Sequence, residues 1–86
     1  MTEIRRSFHL HLVSDATGET SLMLARAALA QFEGVTVTEH QWPLVRTVAQ
    51  VRRVVADVEA HPGVVFYTLV EPEVRRELET ACRLFG

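Results

Sequence analysis

Residues 7–13 read Ser-Phe-His-Leu-His-Leu-Val, and Ser14-Asp15-Ala16-Thr17-Gly18 follow at once; these twelve positions decide the fold. Apolar and histidine side chains alternate along the first seven residues. This alternation predicts a β-strand with phenylalanine and leucine on one face and histidine on the other. The next five residues are small or polar and predict a turn. Helically spaced apolar residues begin directly afterwards, so the strand is expected to pass through a short turn into a helix.

The same strand-then-helix unit occurs three times along the chain. Further strands are predicted over residues 35–42 and 63–70, and the second of these is nearly unbroken in its apolar character, which is typical of a strand buried on both faces of a parallel sheet. The first helix is predicted over 19–32, with Phe32 in its apolar stripe and Gly34 as a left-handed stop. Thr47 and Gln50 form a capping box before the second helix, and Pro72 suits the first turn of the third.

The order βαβαβα predicts an α/β fold of three layers, with a parallel sheet, right-handed crossovers and helices on both faces. We favour strand order 2-1-3, with 3-2-1 as the alternative. Three strands leave unpaired edges, and doubly wound sheets usually have five or six strands. Residues 1–86 are therefore interpreted as the N-terminal α/β domain of a larger protein, with association of copies through an open edge as a possible outcome.

Composition excludes several functions. The chain has 86 residues, 48% hydrophobic and 23% charged, which is ordinary for one globular domain. A net charge of −2 argues against a nucleic-acid partner, and no apolar run reaches the roughly 20 residues of a membrane helix. The single cysteine fits a reducing cytoplasm. All nine basic residues are arginine, which excludes a P-loop lysine or a Schiff-base lysine within these residues.

Residues 14–20, which we call the rim loop, are the strongest candidate for a site. They lie where the first strand enters the first helix, at the edge of the sheet where α/β proteins bind ligands. Free amides at a helix N-terminus suit an anion, and small residues let a phosphate approach closely. The candidate phosphate-binding residues are Ser14, Thr17, Gly18 and Thr20. In the alternative interpretation, Ser14, Asp15 and Thr17 only cap the helix.

The histidines and the cysteine are weaker candidates. His9 and His11 lie two apart on one strand face and could hold a metal ion with His40 or His61 as a third ligand. No cysteine or carboxylate has matching spacing, so we assign no metal site and interpret the pair as part of a polar or partly covered face. Cys82 is interpreted as a small apolar residue of the third helix rather than a nucleophile.

Several segments together resemble one bacterial family. They are Ser14-Asp15-Ala16-Thr17-Gly18-Glu19-Thr20, Gln31-Phe32, the run Phe-Tyr-Thr-Leu-Val-Glu-Pro-Glu-Val-Arg over 66–75, and Leu84-Phe85-Gly86. In this order they resemble the N-terminal region of the pyruvate, phosphate dikinase regulatory proteins, a family that includes the phosphoenolpyruvate synthase regulatory proteins. The family usually has Gly where this chain has Ala16, which restricts the loop backbone, and Ala where it has Ser21.

The resemblance implies a bifunctional enzyme that uses ADP to phosphorylate a threonine of the target dikinase or synthase. The same enzyme removes that phosphate with inorganic phosphate and releases pyrophosphate. The family's P-loop and lysine lie beyond Gly86, so these residues alone are expected to be inactive and to hold no cofactor. Asp15 is then the candidate catalytic residue, which could accept the threonine proton or hold a nucleotide-bound metal.

Two alternatives stay open on sequence grounds. One is a non-catalytic docking or dimerisation module of the same regulator, and the other is an unrelated flavodoxin-like protein that binds a phosphate ligand. An anion at the rim loop would favour the enzymatic interpretation, whereas a large apolar patch along the third strand and third helix would favour docking.

Overall fold

The computed structural model describes residues 6–85, with side-chain surroundings for residues 7–83. The elements are β1 (Arg6–Ser14), α1 (Glu19–Leu29), β2 (Val35–Trp42), α2 (Val48–Ala60), β3 (Gly63–Thr68) and α3 (Pro72–Phe85). The predicted βαβαβα order is therefore confirmed.

The sheet is parallel with order β2-β1-β3, which confirms the 2-1-3 prediction and excludes 3-2-1. The pairing of β1 with β2 places His11 opposite His40, and the pairing of β1 with β3 places Ser14 opposite Thr68. Gly63 fits against β1 because it lacks a side chain: a Cβ there would overlap the carbonyl oxygen of His9. The close pairing of β3 with β1 thus begins at a glycine.

Alternation along β1 divides the core into two clusters, one on each face of the sheet. Leu10 and Leu12 are buried beneath α1 together with Ala25. On the opposite face, Val13 packs in a larger cluster with α2 and α3, whose buried residues include Val51, Val54, Val74 and Leu78. Each fully buried valine or leucine contributes about 1.5–3 kcal/mol of transfer free energy. The three-layer arrangement is therefore confirmed, with β1 as its central strand.

Two details of the sequence interpretation are wrong. β3 is not buried on both faces: Val64 is 55% exposed, and the strand ends at Thr68 rather than at position 70. The reason is its position at the edge of the described sheet, with only β1 beside it. The first helix ends at Leu29, so Phe32 lies outside it and is 64% exposed, whereas Gly34 has the expected left-handed backbone with φ 71°.

Candidate functional site at the carboxyl edge of the sheet

The rim loop leaves the N-terminus of α1 without a side-chain cap. The N-cap residue is Gly18, whose backbone is left-handed at φ 81°, and no side chain among the residues that the structure describes accepts a hydrogen bond from the first turn of α1. The interpretation that Ser14, Asp15 or Thr17 caps this helix is therefore wrong. The backbone N–H groups that begin α1 remain available to an external acceptor, which is the arrangement that binds anions at helix N-termini.

Ser14 serves the structure of the turn. It is buried, and its hydroxyl accepts a hydrogen bond from the backbone N–H of Ala16 at 3.1 Å. The Thr68 hydroxyl donates to the Ser14 hydroxyl at 3.3 Å and lies 3.3 Å from that of Ser21. These three hydroxyls connect β1, β3 and α1 beneath the loop. Ser14 is thus engaged within the protein rather than presented to a ligand.

Asp15 points away from α1 and connects three segments at the same edge. Its Oδ2 accepts a hydrogen bond of 2.9 Å from the backbone N–H of Val70, in the connection between β3 and α3. Its backbone carbonyl accepts a hydrogen bond of 3.1 Å from Nε of Arg46, in the connection between β2 and α2. The carboxylate therefore does not lie over the α1 amides, where it would repel an anion.

A cleft of about 340 Å³ opens beside Asp15, between the ends of β1 and β3. Its lining includes Asp15, Arg46, Leu69, Val70 and Glu71. The strand order reverses between β1 and β3, and this switch point is where open α/β sheets bind ligands. Sequence reasoning missed Arg46. The available signal was its position shortly after β2, since the carboxyl ends of parallel strands meet at one edge.

The structure separates the five predicted site residues. Ser14, Thr17 and Gly18 line a depression of about 10 Å³ on the α1 side, which has room for about one water molecule. Asp15 lines the larger cleft on the other side of the loop, and Thr20 is exposed and lines neither. A phosphate group at α1 would therefore contact the amides from the open surface of the loop.

The cysteine has no sign of reactivity. Burial is the main cause that raises the pKa of Cys82, and the nearby Glu79 carboxylate raises it further. The thiol consequently stays protonated at neutral pH, and a protonated thiol is a poor nucleophile. This agrees with the interpretation of Cys82 as a packing residue. The neighbouring Tyr67 donates a 2.6 Å hydrogen bond to Glu79, which is the main cause of its own raised pKa.

The histidines lie together on the α2 and α3 face of the sheet, away from the rim loop. His9 and His11 of β1 approach His40 of β2, with Nδ1 of His9 2.8 Å from Nε2 of His40. The sequence lacked a carboxylate at a matching spacing, but the fold supplies one from α2, Asp57, whose Oδ2 lies 2.9 Å from Nδ1 of His40. Sequence spacing could not find it, because the partners come from three different elements.

Comparison with known proteins agrees with the resemblance in the sequence. The family model described as "Kinase/pyrophosphorylase" matches residues 10–86. The chain belongs to this kinase/pyrophosphorylase family. A relative from Paramagnetospirillum magneticum, named "Putative pyruvate, phosphate dikinase regulatory protein", is 62% identical over 94% of the chain and 26% of its own length. Proteins of the same name from Rhodospirillum rubrum and Maricaulis maris are each 56% identical, over 94% and 92% of the chain and 30% and 28% of their own lengths.

The chain thus spans between a quarter and a third of the length of these curated relatives. Among the described residues, no helix is both long enough and apolar enough to span a membrane.

Proposed function

We propose that this chain is the N-terminal α/β part of a phosphate-transferring regulator of pyruvate, phosphate dikinase or of phosphoenolpyruvate synthase. The regulator would transfer phosphate from ADP to a threonine of its target, and would remove that phosphate with inorganic phosphate, releasing pyrophosphate. The family description names both a kinase and a pyrophosphorylase, and the relatives' names include pyruvate, phosphate dikinase. Both support this pair of activities.

The observation that carries the proposal is the position of Asp15 and Arg46 at the switch point of the sheet, beside a cleft of about 340 Å³. Phosphoryl transfer depends on positioning and on charge stabilisation at the transferred group. Arg46 supplies a cation at the cleft in a chain without lysine, and the α1 amides supply hydrogen-bond donors on the other side of the loop. Asp15 would accept the threonine proton or hold a nucleotide-bound metal.

Two substitutions of Asp15 test this role in the protein at the full length of its relatives. Asp15→Asn keeps an oxygen that can accept the hydrogen bond from Val70, whereas Asp15→Ala removes it. We expect both to lower the rate of ADP-dependent threonine phosphorylation by about 10²–10⁴-fold, the usual contribution of a positioned acid or base. Only Asp15→Ala should also lower the melting temperature appreciably.

Glu33→Gln is the matched control, because Glu33 is an exposed carboxylate in the turn after α1 and lies outside the cleft. Unchanged turnover in both Asp15 variants would remove Asp15 from the site and leave the rim loop as a structural turn. The 86-residue chain alone should not phosphorylate the target from ADP, since the family resemblance places the P-loop lysine outside it. Phosphorylation by the pure chain would contradict that division of roles.

The edge of β3 favours a second candidate function, docking or dimerisation. Val64 of this edge strand is 55% exposed, and a groove of about 650 Å³ over β3 is lined by residues that include Val58, Val65, Tyr67 and Cys82. An unpaired strand edge with apolar side chains is a template for pairing with another chain segment. The docking and enzymatic roles can coexist in one protein.

A charge on this edge tests the docking role. If copies associate through β3, Val64→Lys should shift the chain towards monomer in sedimentation velocity at matched concentrations. Val70→Lys is the control, because Val70 is 79% exposed but lies outside the strand. A chain that is monomeric at every concentration would rule out dimerisation through this edge.

A further inference from the structure

Four histidine rings and one carboxylate converge on the α2 and α3 face of the sheet, and we call this group the histidine cluster. His9 and His11 come from β1, His40 from β2 and Asp57 from the end of α2, while His61 directly follows α2. Strand pairing places His11 opposite His40, and their ring centroids lie 4.4 Å apart. None of these five residues has a role in the phosphate transfer proposed above.

The hydrogen bonding of His11 leaves one ring nitrogen facing a carboxylate. His11 is fully buried, and its Nε2 lies 2.7 Å from the carbonyl oxygen of His61. A carbonyl only accepts, so Nε2 carries the proton, and Nδ1 of the neutral ring presents a lone pair. Nδ1 lies 3.4 Å from Oδ2 of Asp57. Both atoms are buried, and neither forms a hydrogen bond of good geometry among the described residues, although Nδ1 of His40 also lies 2.9 Å from Oδ2. A cation shared by these atoms would satisfy them.

His40 completes the same arrangement from the neighbouring strand. Its Nδ1 lies 2.9 Å from Oδ2 of Asp57, and its Nε2 lies 2.8 Å from Nδ1 of His9. Both imidazoles thus turn Nδ1 towards one carboxylate oxygen and have Nε2 held by an outer partner, a carbonyl for His11 and a ring nitrogen for His40. Outer hydrogen bonds of this kind fix the orientation of imidazoles that bind metals.

We propose that the histidine cluster binds a divalent transition-metal ion of the Zn²⁺ class through Nδ1 of His11, Nδ1 of His40 and Oδ2 of Asp57. The three residues offer ligand atoms within 4.8 Å of one another. The contacts of 2.9 and 3.4 Å to Oδ2 bracket the spacing of about 3.3 Å between two ligands of a tetrahedral zinc ion. A proton could join Oδ2 of Asp57 to only one of the two rings, whereas a metal ion would be bound by Oδ2 and by Nδ1 of both rings.

The exposure of the cluster gives the ion a path of entry. The side chains of His40 and Asp57 are 18% and 24% exposed, whereas that of His11 is completely buried. The exposed side leaves the fourth coordination position to water, as in zinc sites with three protein ligands. Two imidazoles in the donor set favour Zn²⁺ over Mg²⁺, which prefers oxygen ligands.

Metal titration of the purified chain tests this inference. We expect Zn²⁺ to bind at one ion per chain by calorimetry and by metal analysis after dialysis, and Mg²⁺ not to bind at the same concentrations. Asp57→Asn and His40→Gln should each weaken Zn²⁺ binding by more than about 100-fold, because even an outer partner is worth 10–100-fold in affinity. His9→Gln, which removes only such an outer partner, should weaken it by about 10-fold.

Two controls separate this site from incidental binding. Glu59→Gln neutralises an exposed carboxylate on the same helix, and Cys82→Ser removes the cysteine; both should leave Zn²⁺ affinity within about twofold of the parent chain. Loss of binding in Cys82→Ser, or unchanged binding in Asp57→Asn, would overturn the proposal.

A measurement on the unaltered chain covers the case in which a variant does not fold. Zn²⁺ should shift the ring NMR signals of His11 and His40 more than those of His61, whose side chain is outside the proposed ligand set. The absence of saturable binding, or ring shifts confined to His61, would show that the cluster holds no metal ion.

Discussion

The helices α1 and α2 begin at the same edge of the sheet, and they begin in opposite ways. At α2, the Thr47 hydroxyl accepts a hydrogen bond from the backbone N–H of Gln50, and the Gln50 side chain accepts one from the backbone N–H of Thr47. At α1, the N-cap is a left-handed glycine, Gly18, and within the described part of the chain no side chain caps the first turn, although hydroxyl residues lie on both sides. The first-turn N–H groups of α2 are capped by its own side chains, and we call this the capped start. Those of α1 are not, and we call this the open start.

This difference indicates which of the two helix N-termini has backbone donors left for a ligand. A capping box stabilises a helix by satisfying backbone donors that would otherwise need water. The start of α1 has Thr17 and Thr20 nearby but does not use their side chains as a cap. The open start lies on the other side of the rim loop from the switch-point cleft, against the depression of about 10 Å³. The capped start follows Val45 and Arg46 of that cleft and belongs to a helix that is anchored in the larger core cluster. We therefore expect an anion to bind at the N-terminus of α1 rather than at the capped N-terminus of α2.

The largest expected change in the free energy of unfolding comes from placing a β-branched side chain at Gly18, the N-cap of α1. Gly18→Val should lower the free energy of unfolding by about 2 kcal/mol, because an L side chain is strained in the left-handed backbone. Space is not the cause, since a Cβ at this position would meet only the Cβ of Ser14, at 3.6 Å. Urea denaturation measures the loss.

Asparagine at the same position provides the comparison. Asn tolerates the left-handed region, so Gly18→Asn should cost no more than about 0.5 kcal/mol. Equal stability of the Val and Asn variants would show that the loop relaxes out of the left-handed conformation, and that glycine is not needed to keep the α1 start open.

A smaller effect distinguishes the hydroxyls at the two helix starts. Thr47→Ala should cost about 1 kcal/mol, because it removes the acceptor for the backbone N–H of Gln50. Thr17→Ala and Thr20→Ala should each stay within about 0.5 kcal/mol, because both are exposed and neither caps α1. Thr47→Ser, which keeps the hydroxyl, should retain most of the stability. A loss of about 1 kcal/mol in Thr17→Ala would mean that α1 is capped in solution.

Local pattern was enough to predict the elements and the capping box. The alternation over 7–13 fixed the two faces of β1, and the spacing of Thr47 and Gln50 identified the start of α2. Burial of β3 was misjudged, because an apolar run does not show whether a strand is central or at an edge. The exposure of Val64 depends on whether another strand lies beside β3, and a local sequence pattern does not contain that information.

Local sequence pattern predicts even less about the candidate sites than about the burial of β3. The rim loop could be found because the order of elements alone places it at the carboxyl edge. Its internal geometry could not, since the partner of Asp15 is the backbone of Val70, 55 residues away. The carboxylate of the histidine cluster was missed for the same reason: Asp57 meets His11 and His40 only once α2 has packed on the sheet.

The smallest expected effect tests directly whether the open start of α1 receives an anion. Titration of the chain with inorganic phosphate should move the amide NMR signals of residues 19–21 and leave those of residues 48–50 unchanged, because only the first set lacks a side-chain cap. At a phosphate concentration equal to the dissociation constant, the gain in stability is only about 0.4 kcal/mol, so amide shifts are the more sensitive measurement.

Glu19, an acidic residue in the first turn of α1, provides a further test. Its carboxylate interacts favourably with the same helix end and competes with phosphate, so Glu19→Gln should tighten phosphate binding by about two- to fivefold, the equivalent of 0.3–1 kcal/mol. Sodium chloride at matched ionic strength is the control. Equal shifts at both helix starts, or equal shifts with chloride, would mean that the two N-termini do not differ as anion sites and that the missing cap at α1 has no binding role.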